Sequence, residues 1–431
     1  MRRLADHFRA TLPEPATAPA VTAESEHGRP PLQHGRYGDL PVWFHAAPAA
    51  AGMPRTNDGV AFDPDDAITC LQFEHYVAAS AAAGTAGNRR LQGLYYLLKP
   101  LLPRAAQLEL QRANSRRRLR TTEFPAWPQD ATLTALMQAL LVHRMEAAKL
   151  QAVPFVGFWP RGKHWAWCLS HDVDTAAGVR NVEAMAQAEE ARGVRSAWYF
   201  VPERYPLTHS TLDALRARGH EIGVHGLEHT GKLFASRAHF AARRDRINQY
   251  IQDWGARGFR SPSTYRNPFW LPELNADYDS SFMDNATLEP QPGGVCSAFP
   301  FLLNDRMVEL PITLPMDHTL INVLRQDVVA ACRSKLDWVR AQHGLAMLLF
   351  HPDYNTTRDR VERYATVIDA MRDDPTGWYA LPHEIAAWWQ KRRASRVIAY
   401  GGSPYVDGPA AEQGSVWWAY RDEQGLRIVS G

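Results

Sequence analysis

Cysteine is scarce and scattered: four in 431 residues, at positions 70, 168, 296 and 332. No two form a CxxC pair, so a cysteine-based structural zinc site is not expected. Nor is a disulfide framework, which packs cysteines densely in secreted chains; the four read as free thiols. Long apolar runs are missing too. No stretch of about 18 apolar residues occurs, so no transmembrane helix is expected. The opening MRRLADHFRATLPEP is basic but lacks an apolar stretch. No signal peptide is read from it, and the cytoplasm is the expected compartment. Neither sign of charge dominates: 48 basic against 46 acidic residues, net +2. That balance gives no electrostatic case for nucleic acid. The glycine loops GxGxxG and GxxxxGK[ST] are absent, and with them support for a nucleotide site.

What remains is an ordinary globular composition, 45% hydrophobic and 22% charged, in a chain long enough for two or three units. Residues 1–35, rich in Pro, Ala, Glu and Thr from about 12, read as disordered or loosely tethered. Residues 36–160 read as a mostly helical accessory region, with LQGLYYLLKPLLPRAAQLELQRANSRRRLR at helical spacing. From 161 to 395 short apolar runs alternate with amphipathic helices: WAWCLS, SAWYFV, HEIGV, VELPI and GLAMLLF, with helices near 179–192, 210–218, 237–254, 328–342, 358–372 and 383–393. Repeated β-then-α units predict parallel strands covered by helices. A closed or nearly closed β/α barrel fits that length, with a doubly wound open sheet as the alternative. Residues 396–431 read as a small β-hairpin, SVWWAYR and LRIVS flanking DEQG.

Three of the apolar runs end in polar clusters. WAWCLS runs into His171-Asp172-Val173-Asp174, HEIGV into His225-Gly226-Leu227-Glu228-His229, and GLAMLLF into His351-Pro352-Asp353. In a parallel β/α fold, side chains just past the carboxyl ends of strands converge on one face, so these clusters should meet. Asp172 and Asp174 are two apart and point to one side if the chain stays extended. Alternatively, Asp174 caps the following helix. His225 and His229 are four apart, which on a helical turn puts both rings within reach of one ion. With 17 histidines such a pair also arises by chance. Glu228 does not make HExxH, so a zincin protease is not supported. Two histidines and one carboxylate suit zinc with an open position, and equally non-haem iron. A spare carboxylate and a further histidine favour hydrolysis.

Five blocks in this order resemble the NodB-homology polysaccharide deacetylases, carbohydrate esterase family 4 in the broad sense: HDVD (171–174), HGLEH (225–229), FRSPSTY (259–265), VELPIT (308–313) and LLFHPDY (348–354). The resemblance covers about 163–390. It implies an α/β fold with a distorted (β/α) barrel of the polysaccharide deacetylase type, carrying the N-terminal extension and the C-terminal hairpin. It implies a metal-dependent hydrolase that removes N-acetyl groups from a polysaccharide, oligosaccharide or glycolipid precursor, releasing acetate. By position, Asp172 would be the general base, and Asp174, His225 and His229 the ligands of one divalent metal: Zn2+, with Co2+, Ni2+ and Mn2+ as alternatives. Arg260 would hold Asp172, His351 would be the general acid, and Ser263 would offer a backbone N–H to the oxyanion. The sequence departs from the family in three places. Val173 separates two aspartates that are often adjacent, position 263 is Ser where Tyr is usual, and the aspartate that tunes the catalytic histidine has no clear match; Asp284, in YDSSFMDN, stands as the candidate.

Outside these blocks, Arg112, Arg116, Arg117, Arg118 and Arg120 form a basic run. It reads as a solvated helix face, or as a contact for an anionic glycan, nucleotide sugar or membrane surface. Phe124, Trp127, Trp417 and Trp418 read as packing, or as platforms for sugar rings. The expected partner is an N-acetylated glycan, with peripheral membrane or glycolipid contact open. A hydrolase for a non-sugar amide and a non-catalytic glycan-binding protein are the competing readings.

Overall fold

The apolar runs become the strands of one curled sheet. The structure, a computed structural model, describes residues 2–10, 31–46, 50, 52–77, 104–399, 402–423 and 425–431. In chain order the strands are β1 (Leu32–Tyr37), β2 (Leu40–His45), β3 (Ala152–Val156), β4 (Trp165–Val173), β5 (Ala197–Phe200), β6 (Glu221–His225), β7 (Gly258–Arg260), β8 (Tyr278–Asp279), β9 (Phe301–Leu302), β10 (Val308–Glu309), β11 (Leu345–Phe350), β12 (Gly377–Tyr379), β13 (Arg396–Ile398), β14 (Tyr405–Asp407), β15 (Val416–Asp422) and β16 (Gly425–Ser430). The main sheet runs β11-β4-β5-β6-β7-β8-β10-β9, with β12 also on β4. All its pairings are parallel except β9 on β10.

The segment that follows β10 reaches β11, at the other end of this path, without forming a ladder. Past β10, Thr313 and Leu314 donate their N–H groups to the Met347 carbonyl of β11, at 3.3 and 3.1 Å. The Thr313 hydroxyl donates to the Leu345 carbonyl and accepts from Met347 N. The result is a sheet curled into a half-barrel, in keeping with the distorted barrel expected rather than with a doubly wound sheet. The short strands β7, β8 and β12 carry too little apolar sequence to be read in advance.

The helices are α1 (Arg2–Phe8), α2 (Pro64–Gln72), α3 (Arg104–Thr121), α4 (Thr132–Ala147), α5 (Ala176–Glu190), α6 (His209–Ala217), α7 (Arg237–Asp253), α8 (Val328–Ala341), α9 (Arg358–Arg372) and α10 (Pro382–Arg393). Five of the barrel helices start at a side-chain cap: Thr175, Thr208, Ser236, Asp327 and Thr357. Each such cap contributes about 1 kcal/mol. The helices bury one stripe against the sheet, as α5 does with Val182, Met185, Ala186 and Glu189.

Strand β4 shows how the two faces divide. Trp165, Trp167, Leu169 and Val173 pack with the covering helices. Ala166 and Cys168 face the other way, into a core that holds Tyr199, Tyr278 and Met347 together with Leu4, Phe8, Phe44 and Leu136 from the N-terminal region, Trp388 of α10 and Trp417 of the C-terminal region. The even-numbered row then climbs through Ser170 to Asp172. The period of two along a strand therefore connects the inner core directly to the polar cluster at its top.

Shared packing of this kind does not separate residues 36–160 from the barrel as a core of their own. Two expectations need correction. The first 35 residues are not loosely tethered throughout: α1 forms, with Leu4 and Phe8 buried, while 11–30 lie outside the described residues. The accessory region is not only helical: β1 and β2 make a hairpin turned at Gly38, where φ is +59°. Of the long helical stretch, α3 realises the second half; 91–103 lie outside the described residues. The C-terminal hairpin forms as read, β15 pairing β16 and also β3. Trp417 is fully buried against Phe155 and Phe158, which favours the packing reading for it. Arg112 and Arg118 anchor α3 through the carbonyls of Asn322, Thr287 and Glu289, leaving Arg116, Arg117 and Arg120 exposed.

Candidate active site

The carboxyl ends of β4, β6, β7 and β11 bring the predicted residues together. Asp172 and Asp174 both reach His225, as their spacing demands: Nε2 of His225 lies 3.6 Å from Asp172 Oδ2 and 3.4 Å from Asp174 Oδ1. Val173 between them points into the apolar core. The N-cap of α5 is Thr175, not Asp174, so Asp174 is spared that role. His229 Nε2 stands 2.9 Å from Asp174 Oδ1, and the two imidazole centroids are 5.1 Å apart. No helical turn is involved here. Left-handed Gly226 (φ +63°) and His229 (φ +55°) fold residues 226–229 into a loop that brings the rings together. Glu228 turns away to Arg243, at 3.2 Å.

Gly226 is required by space as well as by conformation. A Cβ there would meet Pro262 at 2.5 Å, in the turn that follows Arg260. Gly226→Ala is therefore expected to cost about 1–3 kcal/mol from backbone strain alone, with the clash added. Gly162→Ala is the control, because Gly162 has φ +66° and nothing near its Cβ. Denaturant unfolding of the two variants separates the terms; equal losses would mean that Pro262 yields freely.

Arg260 is fully buried. Its Nη1 donates to Asp172 Oδ1 at 2.9 Å, Nη2 to the hydroxyls of Ser170 and Ser280, and Nε to the Ser280 carbonyl. The guanidinium lies over the Tyr199 ring, 4.3 Å from its centroid. Every donor direction used here is fixed, so one oxygen of Asp172 is held and the other is left toward His225. Ser263 sits on the Pro262–Thr264 turn, exposed, with φ +56°.

The partner of His351 differs from the expectation. Asp284 is bonded to Lys335 and does not meet His351. Burial raises its carboxyl to about 6 against the pull of that lysine. The aspartate on His351 is Asp317: Oδ1 lies 2.7 Å from His351 Nδ1, and Oδ2 accepts from His351 N and from Asn355 Nδ2. Burial alone would drive the proton off His351. Asp317, with Asp174 and Asp172 behind it, outweighs that and pushes the imidazole up to about 10. Sequence reasoning missed Asp317 because nothing in LPMDHT marks it; only the fold brings it to β11.

Asp353 was also unassigned in the sequence reading. Its Oδ2 accepts from Asp174 N at 3.0 Å, and its Oδ1 from the Thr175 hydroxyl. Tyr205 donates to the Val173 carbonyl. These contacts brace the end of β4 on both sides. Burial raises Asp353, with the Thr175 hydrogen bond opposing.

Asp174, His225 and His229 offer three ligand atoms within 4.8 Å of one another. Their hydrogen bonding fits a cation. His225 Nδ1 faces the Arg260 carbonyl at 3.0 Å, an acceptor only, so Nδ1 carries the proton. In the neutral ring Nε2 is then a lone pair aimed at two carboxylates, an arrangement a metal resolves and which the backbone contact orients. Burial opposes ionisation of Asp174. The His225 and His229 rings beside it nonetheless hold its carboxyl well below the usual range.

No family model and no curated protein matches the chain. Solved structures do. A structure described as a polysaccharide deacetylase from Mycobacterium smegmatis is 18% identical, covering 57% of this chain and 96% of its own, with a TM-score of 0.46. The Puue allantoinase is 14% identical over 54% of this chain and 93% of its own, TM-score 0.43. A further polysaccharide deacetylase structure, from Pseudomonas aeruginosa PAO1, is 15% identical over 54% and 93%, TM-score 0.41. Among the described residues no helix is long and apolar enough to cross a membrane.

Proposed function

We propose that the chain is a metal-dependent hydrolase that removes an N-acetyl group from a carbohydrate and releases acetate. One observation carries this reading. A carboxylate locked by a buried arginine (Asp172–Arg260) and a histidine locked by a buried aspartate (His351–Asp317) belong to one cluster with three metal-ligand atoms. Hydrolysis of an amide needs a base for water and an acid for the departing amine, and these two pairs supply them.

Asp174, His225 and His229 would hold the metal, zinc by their chemistry, with a position left open. A divalent cation there supplies Lewis acidity toward the carbonyl and lowers the pKa of water. Asp172 takes the proton from the attacking water through the oxygen that Arg260 does not hold. The Ser263 N–H donates to the developing oxyanion from the turn that Pro262 fixes against Gly226. His351, protonated at Nδ1 by its contact with Asp317, gives its Nε2 proton to the amine as the C–N bond breaks. Acetate and a free amino sugar leave. The N-acetyl sugar as substrate, rather than another amide, rests on the five-block resemblance in 163–390.

The test is His225→Ala. Metal content should fall from about one equivalent at this site to none, and acetate release from N-acetylated oligosaccharides should be lost with it. Metal content no lower in His225→Ala than in the wild type would mean that the three ligands are wrongly assigned.

A further inference from the structure

A second cluster of ligating side chains lies in the N-terminal region, away in sequence from every residue of the candidate active site. His45 ends β2. Asp66 and Cys70 are four apart on α2, so they share a face, and α2 packs on β2. After α2 the chain reverses at Glu74, a non-glycine residue with φ +57°. That conformation is held from outside: the Glu74 carboxylate forks onto buried Arg266, with Arg266 Nε donating at 2.7 Å. The reversal brings His75 to His45, ring centroids 5.7 Å apart.

The ligand atoms of His45, Cys70 and His75 lie within 4.8 Å of one another. Cys70 Sγ is fully buried, 3.7 Å from His45 Nδ1. Asp66 Oδ1 stands 3.0 Å from that same nitrogen, so a cation bound at Nδ1 would also face a carboxylate oxygen, a further donor that zinc accepts. Phe269 stacks on His75 with an interplanar angle of 17°, and Phe73 meets the same ring edge-on, so one side of the cluster is walled by aromatics.

We propose that His45, Cys70 and His75 form a second metal site for a zinc-like divalent cation. One thiolate and two imidazoles suit zinc and other borderline cations, and are wrong for magnesium or calcium, which take oxygen. Binding replaces the Cys70 S–H bond with an S–metal bond and releases the thiol proton to solvent. The site has no thiol-rich motif, because its ligands come from a strand end, a helix and a strained turn. Its bond would pin the β2 hairpin to the turn at Glu74. Through Arg266 and Phe269, that turn bears on the chain that follows Pro262–Thr264. The site shares no residue with the proposed catalytic cluster and does not depend on it.

Cobalt(II) is the probe, added to the chelator-stripped full chain. The catalytic cluster contains no thiolate, so only the second site gives a thiolate-to-cobalt charge-transfer band in the near ultraviolet. The band should be complete within about two equivalents in the wild type, where two sites share the cobalt, and within about one in His225→Ala. It should vanish in Cys70→Ser, and need at least tenfold more cobalt in His75→Ala. Zinc content should drop by about one equivalent in Cys70→Ser. No band in the wild type, or a band that survives Cys70→Ser, overturns the proposal. Should Cys70→Ser fold poorly, the wild-type spectrum and His75→Ala decide it alone.

Discussion

Asp172→Asn is expected to lower acetate release by about 10²–10⁴-fold, the usual contribution of a positioned base, while the metal stays bound. The amide keeps the volume of the carboxylate. It can still accept from Arg260 Nη1, which now donates at 2.9 Å. What it loses is the free oxygen toward His225 that would take the proton from water. Metal retention separates this outcome from loss of the site, since Asp174, His225 and His229 are untouched. Full activity in the variant would remove Asp172 from the mechanism. Activity lost together with the metal would make Asp172 a ligand instead of a base.

Asp317→Asn should act on the other half of the reaction. The carboxylate of Asp317 raises His351, pushed up to about 10 against the opposing effect of burial. With the charge removed, the imidazole pKa falls, and His351 loses its proton at a lower pH. The alkaline limb of the pH–rate profile should therefore move toward acid, and kcat should fall more than KM rises. The sign for stability follows from the same linkage. The folded pKa lies above the ordinary 6.5, so the His351–Asp317 contribution is fully present below 6.5 and is lost as pH rises through about 10. Breaking a buried pair of this kind costs about 3–5 kcal/mol. The stability gap between wild type and Asp317→Asn should accordingly be widest in weakly acidic solution and close toward pH 10. Nuclear magnetic resonance titration of His351 in both proteins checks the direction. An unchanged pKa in the variant would show that Asp317 only anchors the loop.

Much of the site was legible because strand ends carry it. Asp172, Asp174, His225 and His351 each follow an apolar run long enough to read, and a parallel sheet sends all such ends to one face. Arg260 was legible only through the resemblance, since GFR is too short a strand to stand out. Asp317 and Asp353 meet both side chains and backbone N–H groups of other segments, and no local spacing marks such partners. Asp284 shows the limit from the other side: a buried aspartate at a plausible place in the order proves to belong to Lys335. The helical spacing of 36–160 marks an accessory region and does not say whether it folds alone. The fold joins it to the barrel because the inner face of β4 and the helix α10 leave apolar surface that Leu4, Phe8 and Leu136 cover. Composition says nothing of that docking.

The measurement that bears most directly on the central claim is acetate release from a panel of N-acetylated oligosaccharides, made with the chelator-stripped chain before and after zinc is restored. The account predicts no acetate from the stripped protein, and recovery with about one equivalent at the Asp174–His225–His229 site. Unchanged acetate release from fully stripped protein would contradict metal dependence, and restored metal with no acetate from any sugar would contradict the substrate.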